Sequence, residues 1–107
     1  MPDDSRIFLG LGSNMGDRYQ NLKNGIELLN NHPHIWVIDQ SQVYQSAPLY
    51  HKNQEDFYNM VVEIDTNLIP LDLLTQIKKI EKKAGRDSKS KKNMPRILDI
   101  DILAIGD

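Results

Sequence analysis

Residues 97–105, reading ILDIDILAI, constrain most strongly what this chain can become. The run is built from aliphatic, largely strand-favouring residues, and its only polar positions are Asp99 and Asp101. Side chains alternate faces along a strand, so the two aspartates point the same way, roughly 6.5–7 Å apart along the chain. Leu98, Ile100 and Ile102 take the opposite face. Two neighbouring carboxylates in an apolar strand repel each other and lose hydration, a cost that a bound cation removes. Oxygen donors of this kind suit Mg²⁺, which uses one or two protein carboxylates and completes its shell with water and substrate phosphates. Taken alone, Asp-x-Asp is short and common, and the preferred reading is a solvent-facing aspartate at a sheet edge beside a second that caps a neighbour. The preceding residues favour the metal: Lys82, Lys83, Arg86, Lys89, Lys91, Lys92 and Arg96 are opposed only by Asp87. Carboxylates for a metal beside arginines and lysines for phosphate oxygens point to a metal–polyphosphate ligand. Solvation of a surface loop accounts for the lysines, but less well for Arg86 and Arg96 at the two ends of that loop.

A chain of 107 residues makes one domain with a modest core. Thirteen basic and fifteen acidic residues give a net charge of −2, so the basic segment is local and implies no general nucleic-acid surface. Without cysteine, disulfides, thiolate metal sites and a cysteine nucleophile are excluded. No apolar run reaches signal-peptide or transmembrane length. The expectation is a soluble, cytoplasmic protein without membrane or nucleic-acid partners.

Taken in order, Ile7, Phe8, Leu9 and Leu11 predict a short strand that stops at a turn cluster, Gly10-Gly12-Ser13-Asn14. Such a turn could cradle phosphate, but it lacks the Walker lysine and the full dinucleotide fingerprint, and a tight turn before a helix is the preferred reading. A helix is expected from about Asp17 to Asn30, burying Leu22, Ile26 and Leu29. A second extended segment runs from Ile35 to Tyr44, and a shaped loop follows around Pro48. His32, His34 and His51 have no metal-ligand spacing and read as surface residues. Phe57 to Asp65 predicts a third strand, with Tyr58, Met60, Val62 and Ile64 on one face and Phe57, Asn59, Val61 and Glu63 on the other. An asparagine is disfavoured in a strand, and a buried amide must find partners. Asn59 therefore serves either core or edge hydrogen bonding or recognition of a flat heterocycle beside Phe57. A second helix opens at Pro70, presents Leu73, Leu74, Ile77, Ile80 and Ala84 at helical spacing, and ends at Gly85. The resulting order is β-α-β-β-α-β, a ferredoxin-like α+β sandwich with an antiparallel sheet and helices on one face.

Five stretches, in this order, carry a resemblance: FLGLGSNMGDR (8–18), VYQSAPL (43–49), QEDFYNMVVEIDT (54–66), IEKKAGR (80–86) and PRILDIDIL (95–103). Together they resemble the 6-hydroxymethyl-7,8-dihydropterin pyrophosphokinases of folate biosynthesis over nearly the whole chain. The resemblance implies transfer of pyrophosphate from ATP to the pterin hydroxymethyl group with release of AMP. It implies two Mg²⁺ ions on Asp99 and Asp101, with Arg86 and Arg96 as the catalytic, phosphate-stabilising arginines. Ser46, Leu49, Phe57 and Asn59 would hold the pterin, and Leu74 and Glu81, with both arginines, would line the nucleotide side. The whole chain, 1–107, is then a single domain in which the basic loop 86–96 serves as a lid.

The chain departs from the family pattern in places. Met94-Pro95-Arg96 replaces Gly-Pro-Arg, and Ser88 and Asn93 stand where an arginine and an aromatic are common. Ala47 and Tyr50 replace a proline and a glycine. Family members usually continue beyond the aspartate strand with a His-containing nucleotide motif and an aromatic that stacks on the pterin. A chain ending at Asp107 is then a truncated or minimal form, or one piece of a longer protein. The alternatives to an active enzyme are a non-catalytic ferredoxin-like module binding nucleotide, pterin or a protein partner, with self-association through uncovered apolar surface, and an RNA-binding module, for which only Phe57 and Tyr58 could stack on bases.

Overall fold

The computed structural model describes residues 6–48, 54–85 and 97–105. The elements run β1 (Ile7–Ser13), α1 (Arg18–Asn30), β2 (Ile35–Gln40), β3 (Tyr44–Ser46), β4 (Phe57–Thr66), α2 (Pro70–Lys83) and β5 (Asp99–Ile105). All pairings are antiparallel, in the order β2-β4-β1-β5, with β3 continuing beside the first residues of β4. This is the expected ferredoxin-like α+β plan.

The period-two pattern of the strands decides which face is buried. Leu9 and Leu11 of β1, Met60, Val62 and Ile64 of β4, and Leu98 and Ile100 at β5 point into one cluster. Leu22 and Leu29 of α1 and Leu73, Ile77 and Ile80 of α2 close it, so both helices lie on the same side of the sheet. Each buried side chain of this size contributes about 1.5–3 kcal/mol against the entropy of ordering the chain. The intervening strand residues lie on the other face, which neither helix covers.

The helix ends follow from sequence. Asp17 caps α1, its carboxylate accepting the Gln20 N–H at 3.1 Å. Pro70 opens α2, where a missing N–H costs nothing, and Asp72 and Lys82–Lys83 match the helix dipole at either end. Gly85 follows α2 at φ 112°, a conformation that stops the helix and that side-chain-bearing residues avoid. Among the described residues no helix is long and apolar enough to cross a membrane.

Several expectations are corrected. Gly10 and Gly12 do not form a turn; they lie inside β1, which runs on to Ser13, and the turn falls at 14–17. The Ile35–Tyr44 segment is two strands, because residues 41–43 leave the ladder. Ser41 spans the gap: its N–H donates to the Val61 carbonyl and its hydroxyl accepts the Val61 N–H, both at 2.8 Å. β5 begins at Asp99 rather than Ile97, and the register with β1 shifts between Phe8 and Leu9, leaving Leu103 as an inserted residue. His32 is half-buried rather than a surface residue: its ring nitrogens meet Gln76 Oε1 at 3.1 Å and the His34 N–H at 3.0 Å. Leu74 lies on the exposed side of α2 instead of in the core.

Candidate active site

The register of the sheet builds the site. Gly12 pairs with Asn59 on one side and with Asp99 on the other, while Tyr44 pairs with Asn59. Directly paired residues project to the same face, so Tyr44, Asn59, Gly12 and Asp99 form one row across the face that neither helix covers. The next row is Val61, Gly10 and Asp101. Strands lie 4.7–4.9 Å apart, which puts the backbones of Asn59 and Asp99 roughly 10 Å from each other. The glycines between them supply no side chain, and the gap becomes a cavity of about 390 Å³.

Asp99 and Asp101 line this cavity together with Ser46, Phe57 and Asn59. These five residues were singled out from sequence, and the fold brings them together from three strands. The Asn59 amide donates to the Ser46 hydroxyl at 2.8 Å, with longer contacts of 3.4 Å to the carbonyls of Tyr44 and Phe57. Its amide nitrogen is thus turned towards β3. A Cβ on Gly12 would stand 3.2 Å from Asn59 Oδ1 and 3.3 Å from the Phe57 ring, so any side chain here would oblige one of them to give by a few tenths of an ångström. Leu103, two residues beyond Asp101 and therefore on the same face, packs beside Gly10 as an apolar wall.

Glu81 and Leu74 are not among the residues lining this cavity. Glu81 is 1% exposed; its carboxylate accepts the Ile100 N–H at 2.6 Å and approaches Lys78 Nζ at 3.3 Å. It lies beneath the aspartate strand. Leu49, Arg86 and Arg96, and with them the loop 86–96, lie outside the described residues.

Sequence reasoning missed Tyr44, Gly10, Gly12 and Leu103 as site residues. The glycines were legible in principle: at spacing two, opposite the alternating Leu9 and Leu11, they match a strand better than a turn. Leu103 was legible too, since spacing two from Asp101 puts it on the aspartates' face; the irregularity decides only that no β1 residue pairs with it directly.

The polar residues of the β1–α1 connection tie that turn to the stretch leading into β4. Asn14, 2% exposed, donates to Gln54 Oε1 at 2.8 Å. Asn21 donates to the Met15 carbonyl at 2.7 Å and to the Ser13 hydroxyl at 3.2 Å, which fixes the turn itself.

A ferredoxin-like sheet with both helices on one face and a paired-aspartate cavity on the other defines an α+β domain with a polar cavity on its second face. The chain belongs to the 7,8-dihydro-6-hydroxymethylpterin-pyrophosphokinase (HPPK) family, whose model matches residues 8–106. It is 44% identical over 101 residues to the 2-amino-4-hydroxy-6-hydroxymethyldihydropteridine pyrophosphokinase of Aquifex aeolicus, covering 94% of this chain and 61% of the relative. The Bacillus subtilis protein of the same name is 38% identical over 96 residues, covering 90% of this chain and 57% of the relative. A folic acid synthesis protein of Dictyostelium discoideum is 39% identical over 97 residues, covering 91% of this chain and 14% of the relative. The chain thus spans less than two thirds of the length of these relatives. A crystal structure of an HPPK-DHPS in complex with substrates aligns with a TM-score of 0.68 at 17% identity, covering 97% of this chain and 28% of that one, and shares the fold.

Proposed function

We propose that the protein transfers pyrophosphate from ATP to 6-hydroxymethyl-7,8-dihydropterin, a reading supported by its family and by its relatives' names. The observation that carries it is the joining of an acidic pair and an amide–aromatic pair in one cavity, with Asp99 and Asn59 in the same row. In this reaction the pterin hydroxyl oxygen bonds to the β-phosphorus of ATP, the bond from that phosphorus to the α–β bridging oxygen breaks, and AMP leaves. The hydroxyl proton is released. No side-chain nucleophile is needed, so the protein's contribution is positioning and charge compensation.

The donor set fits Mg²⁺. Asp99 and Asp101 offer only carboxylate oxygen, and among the described residues no three His, Cys, Asp or Glu side chains converge as a metal site. A cation there takes its remaining ligands from water and substrate phosphates, which is the habit of Mg²⁺. Two such ions, when bound, supply charge neutralisation on the ATP phosphates. Asn59, its amide nitrogen held by Ser46, presents its carbonyl oxygen to the flat pterin edge, Phe57 shapes the pocket beside it, and the backbone around Ser46–Leu49 joins in holding the pterin. Arg86 and Arg96, the latter three residues ahead of Asp99 in sequence, are the residues we assign to compensating phosphate charge, for which guanidinium groups are chemically suited. Glu81 supports the nucleotide side through the strand that carries the aspartates, and Leu74 contributes from α2. With ATP as donor, the cytoplasm is the compartment that goes with this reading.

The test is AMP formation by the purified chain with ATP, Mg²⁺ and the dihydropterin. Pterin-dependent AMP is the expected result. A folded sample that releases no AMP but binds pterin or nucleotide would make the chain a binding module instead.

A further inference from the structure

Arg18 is the first residue of α1, on the side of the sheet opposite the cavity, and its partners all belong to one short stretch. Its Nη1 donates to the Asp56 carbonyl at 2.9 Å and lies 3.6 Å from Glu55 Oε1. Its Cζ stands 4.0 Å from the centre of the Tyr58 ring, a close cation–π approach. The side chain is only 20% exposed, so these contacts are partly shielded from water. Solvation of a surface arginine does not account for a geometry that sets Nη1 against a carbonyl and a carboxylate while the flat face lies over a ring.

Strand alternation gives this grip a consequence. Arg18 holds residue 56 by its carbonyl and residue 58 by its ring, both from the helix side. Phe57, between them, is thereby turned to the opposite side, into the cavity, and Asn59 follows in phase. If the start of β4 shifted by one residue, every side chain would exchange faces, placing Tyr58 in the site and withdrawing Phe57 and Asn59. The neighbouring Asn14–Gln54 hydrogen bond of 2.8 Å ties the same stretch to the β1–α1 turn but touches neither residue 56 nor residue 58.

We propose that Arg18 is a positioning residue for the heterocycle half of the site: clamped on Asp56 and Tyr58, it sets the phase in which β4 presents Phe57 and Asn59. This deepens the proposed function and rests on it, since the ligand whose binding Arg18 governs is the pterin. The aspartate half of the site lies on β5, which Arg18 does not touch, so its influence is confined to one substrate.

The experiment compares the wild-type chain with Arg18→Met, which keeps an apolar stem over Tyr58 but removes the donors, and with Arg18→Lys. Binding of 6-hydroxymethyl-7,8-dihydropterin is titrated calorimetrically with Mg²⁺ and saturating α,β-methylene ATP, and the nucleotide analogue is titrated separately. Arg18→Met is expected to weaken pterin binding about tenfold or more, as small displacements of positioning groups do, with analogue affinity within about twofold of wild type. Arg18→Lys should recover part of the loss, because an amine can reach the carbonyl but lacks the planar fork. Unchanged pterin affinity in Arg18→Met overturns the inference. So does parallel weakening of both ligands with a fall in melting temperature, which is what a purely structural role produces. A wild-type chain that takes up no pterin overturns the proposed function itself, whereas wild-type binding with an unaffected Arg18→Met places the fault in the Arg18 inference alone.

Discussion

The Glu81 carboxylate accepts the backbone N–H of Ile100 at 2.6 Å, and Ile100 is the residue between Asp99 and Asp101. A buried side chain on α2 therefore holds the strand that carries both acidic groups. Replacing Glu81 by Leu leaves a buried N–H without its acceptor, expected to cost about 1–3 kcal/mol. For a domain of this size each kcal/mol lowers the melting temperature by about 4–8 °C. Glu81→Gln keeps an acceptor and should lose less. Thermal melts of the two variants decide it: equal losses would mean that charge rather than acceptance matters.

Asp99→Asn and Asp101→Asn are expected to leave the fold intact, since each removes one of two like charges on the same strand face. AMP formation should fall about a hundredfold or more in either variant, the scale on which loss of one electrostatic contact acts in catalysis. Titration of activity against Mg²⁺ checks the role. A variant that keeps full activity with an unshifted Mg²⁺ requirement would remove that aspartate from the metal site.

Gly12→Ala tests the row between Asn59 and Asp99. The added methyl would stand 3.2 Å from Asn59 Oδ1 and 3.3 Å from Phe57, tighter than ordinary contact. Relief by moving those side chains should raise the KM for the pterin about tenfold and cost about 1–3 kcal/mol of stability, the usual range for overpacking. The KM for ATP should stay near its original value. A rise in the ATP value alone would mean that the cavity is divided differently.

Asn59→Leu removes the amide while preserving bulk. Loss of an amide oxygen matched to a heterocycle should weaken pterin binding by at least about tenfold, or 1.4 kcal/mol. Ser46→Ala, which removes only the hydroxyl 2.8 Å from the amide, should produce a smaller loss in the same direction. If Ser46→Ala were the more damaging of the two, the hydroxyl and not the amide would be the contact that matters.

Much of the fold was legible because periodicity is a local property. The alternation of Met60, Val62 and Ile64, the helical spacing of Leu73, Ile77 and Ile80, and the stops at Asp17, Pro70 and Gly85 each lie within a few residues of one another. The glycines misled because Gly is the commonest turn residue, and whether Gly10 and Gly12 turn the chain or clear a space depends on what pairs beside them. The gap at 41–43 was missed for a related reason: β2 and β3 share one partner strand, and only that partner shows where pairing pauses.

By itself the sequence determined the family, the order of the elements, the faces of the strands, and the residue types that chemistry on a phosphate and a heterocycle needs. The tertiary structure alone decided that Asn59 and Asp99 share a row across Gly12, that Glu81 serves β5 from below, and that Arg18 grips β4 from behind. The physical reason is that facing along a strand is set by neighbours in the chain. Register between strands is instead set by packing and hydrogen bonding among residues as distant as 12, 59 and 99, and no local pattern carries that information.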